Sequence, residues 1–232
     1  MTKEYFTNLR SMEARKSIHK LGLLDIKIDN ILEIGPGENP LFSLIGFDEK
    51  NYIGLEKDKD LLNGNIVYNE KDIVNNLVKK YTLIYSSSSL YYIENPIDAL
   101  ISFDTDKVKA QIHIIPSSTW RIWTMLAAYL AYIRNKKSFM EKGKKTSRSI
   151  LDYFILKKHS SRGNRVNEFY YYSTFFWKKN FKFLTEYSSI HVFKSRVFYT
   201  GFNLFGEQIS FETRKLLSYI LGSSSKIYIL IK

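Results

Sequence analysis

No cysteine occurs in the 232 residues. That excludes disulfides, thiolate metal sites and a cysteine nucleophile. Histidine is scarce. The four residues His19, His113, His159 and His191 lie far apart in sequence and show no metal-ligand spacing, so no metal is expected. Long apolar runs are missing as well. The longest, Ile122 to Ile133, has 12 residues, short of the ~20 needed to span a bilayer. The opening MTKEYFTNLRSMEARK is too polar for a secretory signal. These absences predict a soluble, cytoplasmic protein. No internal repeat is visible, and the serine runs at 86–89 and 223–225 are too short to be linkers.

What is present fits a globular chain, with 44% hydrophobic and 25% charged residues. The length suits one α/β domain over 1–232 with a sizeable core. The net charge of +12 is unevenly placed. Residues 134–182 hold 14 Lys and Arg against three acids, Glu141, Asp152 and Glu168, whereas residues 1–133 are close to neutral. A basic excess concentrated in 49 residues favours an anionic partner over a merely solvated face.

Along the chain, apolar residues at helical spacing predict a helix over 3–22. Short β-branched runs predict strands at Asn30–Ile34, Asn51–Leu55, Asn65–Tyr68, Tyr81–Ser86 and Lys109–Ile115, alternating with helical stretches near 40–45 and 99–103. That alternation argues for a parallel sheet of βαβ units. After Pro116 the pattern becomes helical over 118–156. Later strands are expected at Ser189–Phe193, Arg196–Thr200 and Lys226–Ile231, with a helix over Phe211–Leu221.

The chemistry begins at Glu33-Ile34-Gly35-Pro36-Gly37, where glycines after a strand allow a sharp turn and close approach of a ligand. Pro40 stands where a dinucleotide fingerprint has its third glycine, which disfavours NAD. Glu56 ends the next strand, 19 residues after Gly37, and a carboxylate there suits ribose hydroxyls. The stretch ILEIGPGENP resembles the first motif, E-x-G-x-G, of class I S-adenosylmethionine-dependent methyltransferases. YIGLEKD resembles the second motif, NEKDIV the third and YTLIYSSSSLYYIENP the fourth, all in order.

The resemblance implies a Rossmann-like, seven-stranded, mostly parallel sheet with helices on both faces. A largely helical insertion follows strand five, at 117–185. It implies S-adenosylmethionine (SAM) as cofactor and S-adenosylhomocysteine (SAH) as product. Its cofactor residues would be Glu33, Gly35, Gly37, Glu56, Lys57, Asp72, Ile73, Ser86 and Ser87. Two departures stand out. Thr82 replaces the family's acid before the fourth strand, and Tyr91-Tyr92 replaces its Glu-His pair. Both weaken a catalytic role for that loop and keep open a degenerate domain that binds without catalysis.

The acceptor question moves to the basic, aromatic insertion. One reading is O-methylation of a sugar or other small polar acceptor with anionic character. A looser likeness to methyltransferases of bacterial surface-polysaccharide gene clusters points the same way. There His159 would be a general base, Glu168 would orient it or bind a sugar hydroxyl, Arg162 and Arg165 would hold the anion, and Trp120 and Arg121 would line the acceptor site. A second reading is RNA methylation, since basic residues interleave with aromatics. A third places Trp120 to Ile133, followed by Arg134, Lys136 and Lys137, on anionic lipid. The competing expectation for that stretch is a buried helix closing the cofactor pocket. His113, inside a strand, is expected to be a core residue or one acting through a neighbour.

Overall fold

The computed structural model describes residues 3–61, 66–68, 81–93, 95–102, 105–141, 167–184, 187–200 and 209–232. Seven strands form one sheet: β1 (Ile31–Ile34), β2 (Tyr52–Glu56), β3 (Ile66–Tyr68), β4 (Leu83–Ser87), β5 (Ala110–Pro116), β6 (Ser189–Lys194) and β7 (Ser225–Ile231). Their spatial order is β3-β2-β1-β4-β5-β7-β6. The first five pair in parallel, and β7 runs antiparallel to both β5 and β6. Strands β1, β4 and β5 are buried along their whole length, as expected for strands covered on both faces. The chain order reverses between β1 and β4, so a crevice opens at their carboxyl ends.

The described helices are α1 (Lys3–Gly22), α2 (Leu41–Ile45), α3 (Pro96–Ser102), α4 (Ser118–Glu141), α5 (Glu168–Tyr171), α6 (Thr174–Phe181) and α7 (Phe211–Ile220). Helix α1 lies over the loop after β1. The Ser11 hydroxyl and Arg15 Nε both donate to the Leu44 carbonyl at 3.3 Å, and Thr7 pairs with Asn39 at 2.9 Å. Ser173 caps α6 by accepting from Phe176 N–H, and Ser210 caps α7 by accepting from Thr213 N–H. Helices α5 and α6 pack their aromatics against the sheet's far half: Trp177 and Phe181 are fully buried, and Phe181 meets Tyr228 of β7.

One expected strand is not a strand. Residues 196–200 lie outside the sheet's strands: Arg196 turns in the left-handed region at φ 60, and serine side chains take over bonds that a ladder would supply. Ser224 Oγ accepts from Tyr199 N–H and donates to the Tyr199 carbonyl, both at 2.7 Å. Phe198 N–H reaches the Arg214 carbonyl instead. The serine run at 223–225 is therefore a seam and not a linker. Thr82, the departure from the family's acid, also has a structural role: its hydroxyl and amide tie the start of β4 to Asn30, just before β1.

Candidate active site

A cleft of about 370 Å³ opens at the carboxyl ends of β1, β2 and β4, within the usual size of a small-molecule site. Gly35 forms its floor at φ +66, where an added Cβ would come within 2.6 Å of Ser89 Cβ. Only glycine fits both the backbone and the space. The Gly35 amide donates to the Leu55 carbonyl at 2.8 Å, fixing the loop to the end of β2. Across the cleft, Ser88 also turns in the left-handed region, at φ 57. Ser89 Oγ donates to the Ile34 carbonyl at 2.5 Å. Two tight turns thus face one another, the first clamped to β2 and the second to β1.

Glu56 stands at the end of β2 with its carboxylate already held. Oε2 accepts from Gly37 N–H at 2.9 Å. Oε1 accepts from Lys57 N–H at 2.7 Å and from Asp58 N–H at 3.3 Å. Three of a carboxylate's roughly four acceptor directions are therefore in use. Lys57 lines the same end of the cleft.

Glu33 is buried beneath the loop and does not line the cleft. It accepts from Tyr52 O–H at 2.6 Å, Leu41 N–H at 2.7 Å and Arg10 Nη2 at 3.2 Å. Burial pushes its pKa up, and Arg10, the Tyr52 hydroxyl and the Leu41 amide oppose that shift. Glu33 is thus a strut beneath the glycine turn, joining α1, α2 and β2. Arg10 was missed from sequence because it lies in α1, far from every motif. Its Nη1 donates to the Pro36 carbonyl at 2.8 Å, and its side chain lines the cleft. The only signal was an arginine on a helix that packs on the loop.

Several expected site residues sit elsewhere. Ser86 is fully buried, and its hydroxyl donates to His113 Nδ1 at 2.8 Å. The cleft takes Ser87, Ser88 and Ser89 instead. Strand alternation explains the difference, because Ser86 faces β5 and the core. His113 Nε2 donates to Gln111 Oε1 at 2.9 Å, and Gln111 Nε2 donates to the Tyr187 hydroxyl. Burial drives the His113 pKa down to about 3, so the ring is neutral. It is a core residue, stacked on Phe181 with ring centroids 5.7 Å apart.

Trp120, expected to touch substrate, is packed edge-on to Tyr172 within the core. Arg121 and Glu168, expected to bind acceptor and to orient a base, are instead paired with each other at 2.6 Å with both side chains buried. A buried cation next to a buried carboxylate compensates its charge, and neither lines the cleft. Of Tyr91-Tyr92, the first is core and the second lines the cleft. Asp72, Ile73, His159, Arg162 and Arg165 lie outside the described residues. Among the described residues, no three His, Asp or Glu side chains come together as a metal site.

The sheet order and the cleft decide the architecture. The chain has the class I methyltransferase fold. Solved structures with this fold align along nearly the whole chain at low identity. The methyltransferase domain of a bacterial CtHen1 matches with TM-score 0.52 and 13% identity over 96% of this chain and 98% of that one. A possible histamine N-methyltransferase from Thermotoga maritima matches with TM-score 0.51 and 11% identity over 97% and 90%. The plantazolicin methyltransferase BpumL in complex with SAH matches with TM-score 0.50 and 10% identity over 98% and 84%. No protein-family model matches the sequence, and no curated protein matches it. The class I fold thus rests on backbone arrangement, with the ordered motifs as a separate, sequence-level resemblance.

Proposed function

We propose that this chain is a SAM-dependent methyltransferase that O-methylates a sugar or other small polar acceptor with anionic character, as in surface-glycan biosynthesis. The observation that carries the donor half is the pairing across one cleft of Gly35, which admits no side chain, with Glu56, whose carboxylate is held by three amides. The residues present fit SAM. Gly35 allows close approach, Glu56 suits a ribose hydroxyl, and Arg10 offers a positive charge to the amino acid's carboxylate. Asp72 and Ile73 would take the adenine. When bound, SAM supplies a methyl group activated by its sulfonium. The chain's own task is to orient the acceptor in line and to accept its proton. Arg10, Glu56, Lys57 and Tyr92 are the ionisable described residues lining the cleft, and none is placed as a free base. That role goes to His159, with Arg162 and Arg165 for the anionic group. The basic excess of residues 134–182 supports this half.

Calorimetry with SAM and SAH tests the donor. Micromolar binding of both is expected, and binding of neither sinks the reading. Glu56→Gln should weaken SAM by about tenfold, the worth of a hydrogen bond to a charged group. His159→Asn should leave SAM affinity intact while kcat falls by about a hundredfold or more. An unchanged kcat removes His159 as base.

A further inference from the structure

Helix α4 carries an apolar ridge on its outward side. Its inward side carries Trp120, Ala127 and two polar residues, Arg121 and Thr124, all buried. Its outward side carries Ile122, Leu126 and Leu130, exposed by 54%, 40% and 44%. With about 100° per residue, Ile122, Leu126, Leu130 and the half-buried Ile133 fall within an arc of about 80°. Met125 and Tyr129, half-buried, flank the same ridge. A helix on the surface of a soluble domain turns its apolar stripe to the core, and this one turns it to solvent.

The charge along α4 is one-sided. From Ser118 to Met140 the helix has no acid, and Arg134, Lys136 and Lys137 follow the apolar ridge directly. By the same helical spacing, positions 134 and 136 stand about 40° outside the ridge on its two flanks, and position 137 falls within its arc. A second apolar surface adjoins the first turns. Trp123 Nε1 donates to the Leu221 carbonyl at 2.9 Å, which brings the end of α7, with exposed Tyr219 and Ile220, beside α4. The Arg196 guanidinium lies 4.6 Å over the Tyr219 ring, adding another cation at this face. Among the described residues no helix is long and apolar enough to cross a membrane.

We infer that the outward face of α4, extended by the end of α7, docks on an anionic lipid surface. An apolar ridge with basic flanks and no acid is what an interfacial helix presents: the apolar side chains enter the headgroup boundary and the cations meet lipid phosphates. Helix α4 starts two residues after β5, at the sheet's carboxyl edge, so docking holds that edge close to the bilayer. The inference does not depend on methyl transfer.

The test is flotation of the full chain with phosphatidylcholine vesicles, with and without phosphatidylglycerol. The chain should float with the anionic vesicles, bind the neutral ones about tenfold or more weakly, and dissociate as salt rises. A triple variant, Ile122→Ser, Leu126→Ser and Leu130→Ser, should lose about tenfold or more of the affinity. Its circular dichroism melt should match the parent, because the three side chains are exposed. Lys136→Glu with Lys137→Glu, which leaves the apolar ridge intact, should lose a similar factor. SAM binding should persist in both variants. Failure of the parent chain to float with anionic vesicles overturns the inference, as does undiminished flotation of both variants. A parent dimer that the triple variant converts to monomer, without vesicle binding, makes a second copy the partner and also overturns it. Binding of single-stranded RNA through Lys136 and Lys137, without vesicle binding, does the same.

Discussion

At the carboxyl end of β2, one carboxylate is held by backbone. Between α4 and α5, another is held by a side chain. Glu56 rests on three amides at the cleft's rim, whereas Arg121 and Glu168 meet in the interior with nothing of the cleft between them. The same residue type, a carboxylate, thus lines a cleft in one place and braces the interior in the other. Backbone contacts leave a carboxylate at a surface that a ligand can reach. A buried counterion spends both charges on each other. Residue chemistry alone does not distinguish the two outcomes; the neighbouring backbone does.

The largest expected effect comes from breaking the buried pair. Glu168→Ala leaves the Arg121 charge uncompensated and should cost about 3–5 kcal/mol of stability, read as a lowered urea midpoint. SAM affinity of the folded fraction should stay within about twofold, since additivity holds for distant sites. A drop in affinity at unchanged stability would restore Glu168 to the site and erase the contrast. Gly35→Ala comes next. The left-handed backbone costs a side chain about 1–2 kcal/mol, and the 2.6 Å approach to Ser89 Cβ forces the two turns apart. SAM and SAH binding should be lost by calorimetry while the fold survives. Retained binding would mean that the floor of the cleft is elsewhere.

A smaller effect lies at the seam, where His113 bonds Ser86 of β4 and stacks on Phe181 of α6. Its folded pKa of about 3 lies below the ordinary 6.5. The unfolded chain therefore binds a proton that the folded chain refuses, and stability falls as pH drops from about 6.5 toward 3. Glu13 slopes the other way. Burial lifts its carboxyl to about 7 from 4.5, so its contribution is lost as pH rises through that interval. The two oppose each other between about 4.5 and 6.5. Urea unfolding of the parent and His113→Gln should diverge as pH falls below 6.5, the parent losing up to ~1.4 kcal/mol per pH unit against the variant. Parallel curves would mean that His113 titrates normally and that the seam is wet.

Most of the fold was legible because local rules agreed with the whole. The helix over 3–22 and all seven sheet strands lie within two residues of the expected bounds, since apolar runs and glycine turns encode a parallel sheet directly. The segment 196–200 was misread as a strand because serine hydroxyls satisfy its backbone, and no periodicity signals that exchange. In the site, Gly35 and Glu56 were legible from strand-end spacing. Ser86 was misplaced by one residue of alternation, and Arg10 was invisible because only tertiary packing brings α1 to the loop. Helix α4 was recognised as apolar, but which side faced inward depended on burying Arg121 against Glu168, a pairing 47 residues apart.

The grip on Glu56 bears on selectivity among nucleosides. With Gly37, Lys57 and Asp58 amides already on its oxygens, the carboxylate cannot swivel to follow a ligand, and about one acceptor direction is left. In the ribose-binding role proposed for it, it would answer to one ribose hydroxyl more than the other. A pair of singly deoxygenated analogues, 2′-deoxy and 3′-deoxy SAH, should bind unequally, with the weaker of the two naming the hydroxyl it holds.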